Sequence, residues 1–356
     1  MKNKLPLFLM RYSDSGFTNP HEVVKIETPA NRSERFSHMG AMFWGFESAR
    51  HRATAINGKV KKLFYNDKSE NWMLLGIKQE SLVSRIELST RYFTGNQVPA
   101  ISIILRNGLE ETLVLDREPL SPDSEHGFDI KPRAAKECMV ICHHDGGIAQ
   151  IALIGKLLGT QADKLNLLTY ASISKISNEH YGGPAQAIKG DRQVDHMLGW
   201  ESARTGFGEH AVFNLRKPTI IKELIVDTYM HRLNAPLTCH LFGIKTRSKK
   251  ISDEIWEDRP VWGIRFNDDL EIIPDNFPEY MRNRQFQKED TPDPSSFEVF
   301  LHPGNRWTPL LSFCSLEPDS WHKFTDIESL DAFTNLLFLL YPNGGIHGLK
   351  LHGDEL

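Results

Sequence analysis

The chain says nearly the same thing twice, in the same order. Gly45-Phe46-Glu47-Ser48-Ala49-Arg50 returns as Gly199-Trp200-Glu201-Ser202-Ala203-Arg204. Leu120-Ser121-Pro122-Asp123-Ser124-Glu125-His126-Gly127-Phe128 returns as Leu316-Glu317-Pro318-Asp319-Ser320-Trp321-His322-Lys323-Phe324. His144-Asp145-Gly146-Gly147-Ile148 returns as Pro342-Asn343-Gly344-Gly345-Ile346. Three collinear matches make a tandem duplication, hence two domains of one fold. The polar residues repeated between them are the first candidates for chemistry.

A chain of 356 residues is long enough for each copy to bury its own core. Its 40% hydrophobic and 25% charged content is that of soluble globular protein. A net charge of -4 and no long basic run argue against nucleic acid or an anionic membrane as partner. Cys138, Cys142, Cys239 and Cys314 form neither a disulfide framework nor a C-x-x-C pair, which fits a reducing compartment. The apolar run 5–10 is too short for a signal sequence, and no stretch reaches transmembrane length. A soluble, cytoplasmic protein is expected.

Strand-like runs dominate: 72–77, 82–88, 100–105, 111–115, 138–142 and 148–154 in the first half, 211–215, 220–227, 237–242, 336–341 and 346–351 in the second. They are rich in Val, Ile, Leu and Phe and are punctuated by Gly, Pro, Asn and Asp. Residues 156–168 make the best helix candidate, placed where a connector between copies belongs. Strands at this spacing, without βαβ alternation, predict an all-β sandwich or jelly roll. Copy one carries an extra polar, Lys-rich stretch near 53–71. Copy two carries a longer insertion at about 246–306, whose Trp256 and Trp262 argue for a folded excursion rather than plain disorder.

Glu47 and Arg50, like Glu201 and Arg204, are either a loop-bracing ion pair or functional groups, and recurrence alone does not decide, because a brace would be duplicated too. Asn96, in Thr94-Gly95-Asn96, sits in a turn that can aim its amide into a cleft or merely cap a strand; Asn234 is its counterpart. His126 and His322 stand in register within Pro-Asp-Ser-x-His-x-Phe, as proton carriers or as packing residues beside the aromatic. His210 has only Asn71 opposite it in this alignment, so the two sites are not expected to be equivalent. The Asp145-Gly146-Gly147 and Asn343-Gly344-Gly345 elements read as tight turns. Cys142-His143-His144-Asp145 resembles a ligand run, but neighbours in a strand face opposite ways and no H-E-x-x-H or C-x-x-C supports it. No metal or cofactor is expected. Without a phosphate loop or a G-x-S-x-G elbow, phosphoryl transfer and serine hydrolysis have no residues to rest on.

Taken together, Gly45 to Arg52, Tyr92-Phe93-Thr94-Gly95-Asn96, Ser177-Asn178-Glu179-His180-Tyr181-Gly182-Gly183-Pro184, Gly199 to Arg204, Val226-Asp227-Thr228 and Tyr341 to Ile346 resemble allantoicase, the allantoate amidinohydrolase of purine breakdown. The resemblance implies two tandem jelly-roll β-sandwich domains of galactose-binding-like type: a first repeat over 1–158, a connector over 159–172, and a second repeat over 173–356 carrying the insertion. It implies hydrolysis of allantoate to ureidoglycolate and urea, a small-molecule ureide substrate, and a homo-oligomer. Arg50, Arg52 or Arg204 would clamp the substrate carboxylate, Asn96 and Asn234 would hold ureido groups, and Glu47 or Glu201 would share proton transfer with His126, His322 or His210. Copy two departs from the family in Arg204-Thr205-Gly206 and Leu233-Asn234, and copy one in Ser69-Glu70-Asn71-Trp72. These departures bear on the substrate more than on the fold. A ureide hydrolase with another substrate, a non-catalytic sugar- or ureide-binding module, and a structural paralogue remain alternatives.

Overall fold

The computed structural model describes residues 3–13, 18–25, 45–48, 55–57, 62–64, 71–158, 165–190, 192, 199–203, 208–247, 250–266, 271–273 and 297–356. The chain divides into two compact units, Met1–Ala162 and Asp163–Leu356.

One long bent strand organises the first unit. Asn71–Ser89 runs for 19 residues, but its pairing with Glu125–His143 slips between Gly76 and Ser81 while the partner moves only from Glu137 to Ala135. The extra residues turn a corner, so each strand contributes one limb to each of two facing sheets. The first limb pairs with Leu7–Tyr12 and with the 137–142 limb, which continues to Ala100–Asn107 and Glu110–Pro119. The second limb pairs with Gln150–Leu157 and the 125–135 limb. Met73, Leu75, Ile86, Leu88, Ile103 and Val140 fill the space between the sheets. Along the partner strand Cys138, Val140 and Cys142 are buried while Met139 and Ile141 are half-buried, the period-2 alternation of a sheet with one face on the core. This is a jelly roll.

The corner brings both ends of the long strand to one end of the sandwich. Asn71 Nδ2 donates to Asp145 at 2.9 Å and Ser89 O accepts from Ala149 N at 2.8 Å. Asp145 and Ala149 are four residues apart in sequence, a reach of at most ~14 Å.

The second unit repeats the plan. Glu209–Asp227 slips between Asn214 and Thr219 against Ala332–Tyr341, then pairs with Gly348–Glu355 and Trp321–Phe324. Thr238–Ile244 and Thr308–Ser315 extend the sheet. Register fixes the equivalences. Asn71 lies opposite Cys142, four residues before Gly146; Glu209 lies opposite Leu340, four residues before Gly344. Asn71 therefore corresponds to Glu209 and Trp72 to His210, which corrects the alignment of Asn71 with His210. The insertion just before Asn71 hid a one-residue offset, and one residue in a strand exchanges the two faces.

The second unit's insertion is folded where it is described. Ser252 caps the short helix Asp253–Glu257, and Val261–Phe266 pairs with Glu271–Ile272 and Phe297–His302. Trp262 and Trp307 pack with Leu337, Leu339 and Tyr341. Leu336, Phe338 and Leu340 face the sandwich core instead. Residues 336–341 are therefore buried on both faces, whereas in copy one Met139 and Ile141 on the outer face are only half-buried. Within the stretch 53–71, Ala55–Asn57 pairs with Lys62–Phe64.

The helix expected over 156–168 is not present in the described part of that stretch. Lys156 and Leu157 complete the strand Gln150–Leu157, and Leu167–Tyr170 is a single 3-10 turn capped by Asn166. Residues 159–164 lie outside the described residues. All four cysteines are free, and among the described residues no helix is long and apolar enough to cross a membrane.

Candidate active site at the loop end of each unit

The repeated Gly-x-Glu-Ser element is a two-residue strand laid across the Gly-Gly turn. Glu47 pairs with Gly147 and Phe46 with Ile148; Glu201 pairs with Gly345 and Trp200 with Ile346. The serine locks each turn. Gly146 N donates to Ser48 Oγ at 3.0 Å, and Ser48 N donates back to Gly146 O at 3.1 Å. Gly344 and Ser202 repeat both bonds at 3.0 Å. Only glycine fits. A Cβ on Gly146 (φ +157°) would lie 2.5 Å from the Gln97 carbonyl carbon, and one on Gly344 (φ +139°) 2.3 Å from Asn234 O.

The same turn delivers the asparagine. Gly147 N donates to Asn96 O and Gly345 N to Asn234 O, each at 2.8 Å. Asn96 Nδ2 then donates to Glu47 Oε1 and Asn234 Nδ2 to Glu201 Oε1, each at 2.9 Å. Glu47 is buried and Glu201 half-buried. The candidate residues Glu47 and Asn96, and likewise Glu201 and Asn234, thus come together within each unit. Arg50, Arg52 and Arg204 lie outside the described residues.

The histidines at 126 and 322 are held by contacts within their own loops and strands. His126 Nε2 donates to Ser121 O at 3.3 Å and its ring stacks parallel to Phe128. His322 is buried; its Nε2 accepts from Glu317 N at 2.8 Å and its Nδ1 donates to Val226 O at 3.1 Å. The rest of that repeated motif has a structural cause as well. Asp123 Oδ1 accepts from Tyr92 N at 2.6 Å, and Asp319 Oδ1 from Met230 N at 2.7 Å, which holds loop residues of positive φ. His210 turns toward the insertion, 5.0 Å from the Trp256 ring. Burial and the nearby Arg259 charge lower its pKa to about 4.

Each motif serine sits beside one buried or half-buried carboxylate, but the first unit carries it in the turn after Glu125–His143 and the second at the start of Glu209–Asp227. In the first unit Asp145 accepts from Ser48 Oγ at 3.4 Å and from Asn71 Nδ2. In the second unit the Asn71 position holds Glu209, the Asp145 position holds Asn343, and Glu209 Oε2 accepts from the Ser177 hydroxyl with the Ser202 hydroxyl nearby. Glu209 is buried, and that burial raises its pKa against the effect of the two hydroxyls. Asn71 Oδ1 and Glu209 Oε1, at equivalent places, have no hydrogen-bond partner among the described residues. Among the described residues no group of His, Cys, Asp or Glu is placed to hold a metal.

The allantoicase-repeat family model matches the chain twice, over residues 8–158 and 165–356. The chain belongs to the allantoicase family. Its two jelly rolls are the two repeats of that family, and the Glu–Asn–Ser–Gly-Gly arrangement recurs in both. The allantoicase of Saccharomyces cerevisiae is 26% identical over 66% of this chain and 72% of its own length. The probable allantoicase of Schizosaccharomyces pombe is 21% identical over 96% and 88%. The crystal structure of allantoicase from Saccharomyces cerevisiae covers 99% of this chain and 91% of its own, at 18% identity and a TM-score of 0.35. A fucolectin from striped bass serum covers 82% and 85%, at 9% identity and a TM-score of 0.31.

Three residues at this end of the allantoicase fold escaped the sequence reading: Glu209, His231 and His347. Glu209 was hidden by the one-residue offset. His231 follows the family's Asp227-Thr228 by a few residues, a spacing that could have flagged it.

Proposed function

We propose that the chain hydrolyses allantoate to ureidoglycolate and urea, as an amidinohydrolase acting on a C–N bond. The observation that carries this reading is the arrangement common to both matched repeats: a carboxylate at Glu47 or Glu201 held by an amide at Asn96 or Asn234, over a Gly-Gly turn locked by serine. The substrate's central carbon bears one carboxylate and two ureido groups. Hydrolysis breaks the bond from that carbon to one ureido nitrogen and forms a bond to water oxygen. Water gives up a proton to a base, and the departing nitrogen gains one from an acid.

The geometry supports a division of labour. Asn96 commits one N–H to Glu47, and its Oδ1 would accept from ureido N–H groups. Glu209, its pKa raised by burial, is suited to deliver a proton to the leaving nitrogen. Arg50, Arg52 and Arg204 belong to this proposal as carboxylate clamps, by their chemistry alone. The test is urea release from allantoate by the purified chain, alongside Glu47→Gln and Glu201→Gln. Full activity in both variants removes the glutamates from the mechanism. Allantoate binding without urea, seen as a raised melting temperature, would make the chain a binding module.

A further inference from the structure

One corner of the sandwich differs between units in chemistry but not in backbone. In the first unit Phe93 and Ala149 are fully buried and form a small apolar cluster with Tyr92. Phe93 N donates to Thr90 O at 3.0 Å and Ala149 N to Ser89 O at 2.8 Å. In the second unit His231 N donates to Thr228 O at 2.9 Å and His347 N to Asp227 O at 2.7 Å. A Cβ on Gly147 would strike the Phe93 ring at 2.0 Å, and one on Gly345 the His231 ring at 2.1 Å. The two rings occupy the same place. Since the fold is satisfied by Phe and Ala, packing does not require imidazoles there.

The hydrogen bonds fix how His231 is used. Asn234 Nδ2 donates to Glu201, so Asn234 Oδ1 can only accept. His231 Nδ1 lies 3.2 Å from that oxygen and therefore carries the proton. Its Nε2 keeps a lone pair, with no hydrogen-bond partner among the described residues. Beside it, His347 is fully buried with neither ring nitrogen bonded, against the ordinary rule that buried polar groups find partners. The other groups facing His231 are Glu201 and Asp227, the latter held by Arg192 at 2.7 Å. Among the described residues of the first unit none reproduces this set.

We infer that His231 is the base that takes the proton from the attacking water in the second unit, aligned by the chain Glu201–Asn234–His231, and that the first unit, with Phe93 in its place, lacks this base. The inference rests on the ureide-hydrolase reading; if the unaltered chain releases no urea, that reading fails before this one is tested.

Steady-state urea release by the full chain carrying His231→Phe, which copies the first unit, is the deciding experiment. A fall in kcat of roughly 100-fold or more is expected, with KM within about threefold. Burial lowers the His231 pKa, so kcat/KM of the unaltered chain falls with acid through a limb below 6.5, and the variant loses that limb. His231→Ala, with free imidazole restoring activity, gives a second reading if the Phe variant does not fold. Retention of kcat within threefold in His231→Phe, or an unchanged acid limb in a folded variant, overturns the inference.

Discussion

Asn234 donates its side-chain N–H to Glu201 Oε1 at 2.9 Å, and Asn96 makes the same bond to Glu47 at the same distance. A carboxylate aligned by an amide keeps its charge while its direction is fixed. Removing the amide in Asn234→Ala should cost about 1–3 kcal/mol, which corresponds to roughly 5–150-fold in kcat/KM for urea release. Asn234→Asp should be worse, because it sets two carboxylates side by side. Kinetics of the two variants, with melting temperatures as a check on folding, decide this; equal activity for Asp and Ala would count against it.

Glu209 is expected to trade stability for function. Its folded pKa lies above the unfolded value, so its contribution is fully present below about pH 4.5 and is lost as pH rises through the folded pKa. At neutral pH the buried charge is a burden. Glu209→Gln should therefore raise the melting temperature at pH 7–8, lose that advantage near pH 4, and release urea at least about tenfold more slowly. A variant less stable at pH 7 would contradict the sign.

His240 is fully buried against Trp262 and Phe313, and burial lowers its pKa to about 4. A depressed imidazole pKa leaves stability intact above the unfolded pKa of 6.5 and withdraws it as pH falls. By pH 4 the loss from this residue alone is roughly 3 kcal/mol. Urea denaturation at pH 7 and pH 4.5 should show the second unit weakening on acidification, and His240→Leu should flatten that part of the curve.

Gly146 admits no side chain. In Gly146→Ala the new Cβ meets Gln97 backbone, which cannot swing aside, and the backbone angle is itself strained for alanine. A loss of about 1–3 kcal/mol is expected from strain, with a comparable overpacking contribution. Chemical denaturation measures it. Because Ser48 and Asn96 both hang from this turn, activity should fall further than stability alone explains.

Truncating Trp262 tests whether the insertion is part of the second unit's core. Trp262→Ala should cost about 3–5 kcal/mol and expose Leu337, Leu339 and Tyr341. Dye binding to newly exposed apolar surface should rise with the loss of stability. An unchanged denaturation midpoint would mean that the insertion merely rests on the sheet.

Much of this architecture was legible in the residues because the working end of a jelly roll is made of constrained turns. Gly146, Gly147, Ser48 and Asn96 are each required by backbone geometry, so their counterparts stayed recognisable. The long strands were harder. Asn71–Ser89 reads as two short strands because polar residues at its corner interrupt the apolar pattern. The helix expected at 156–168 is absent from its described part because Lys156 and Leu157 continue a strand and Leu167 opens a 3-10 turn. His126 and His322 recur in the same setting, each ring parallel to that of Phe128 or Phe324. Conversely, His231 and His347 stand where the other copy has Phe93 and Ala149, so a search for repeated polar residues passes over them.

The carboxylate beside the motif serine sits on opposite sides of its strand pair in the two units, at Asp145 in one and Glu209 in the other. Neither half is therefore interchangeable with its sibling piece by piece. A hybrid that borrowed only one of the paired strands would bring two negative charges to that serine, or none. The ancestral symmetry survives in the backbone while the wiring has already been reversed, so any recombination that works must move both strands as one block.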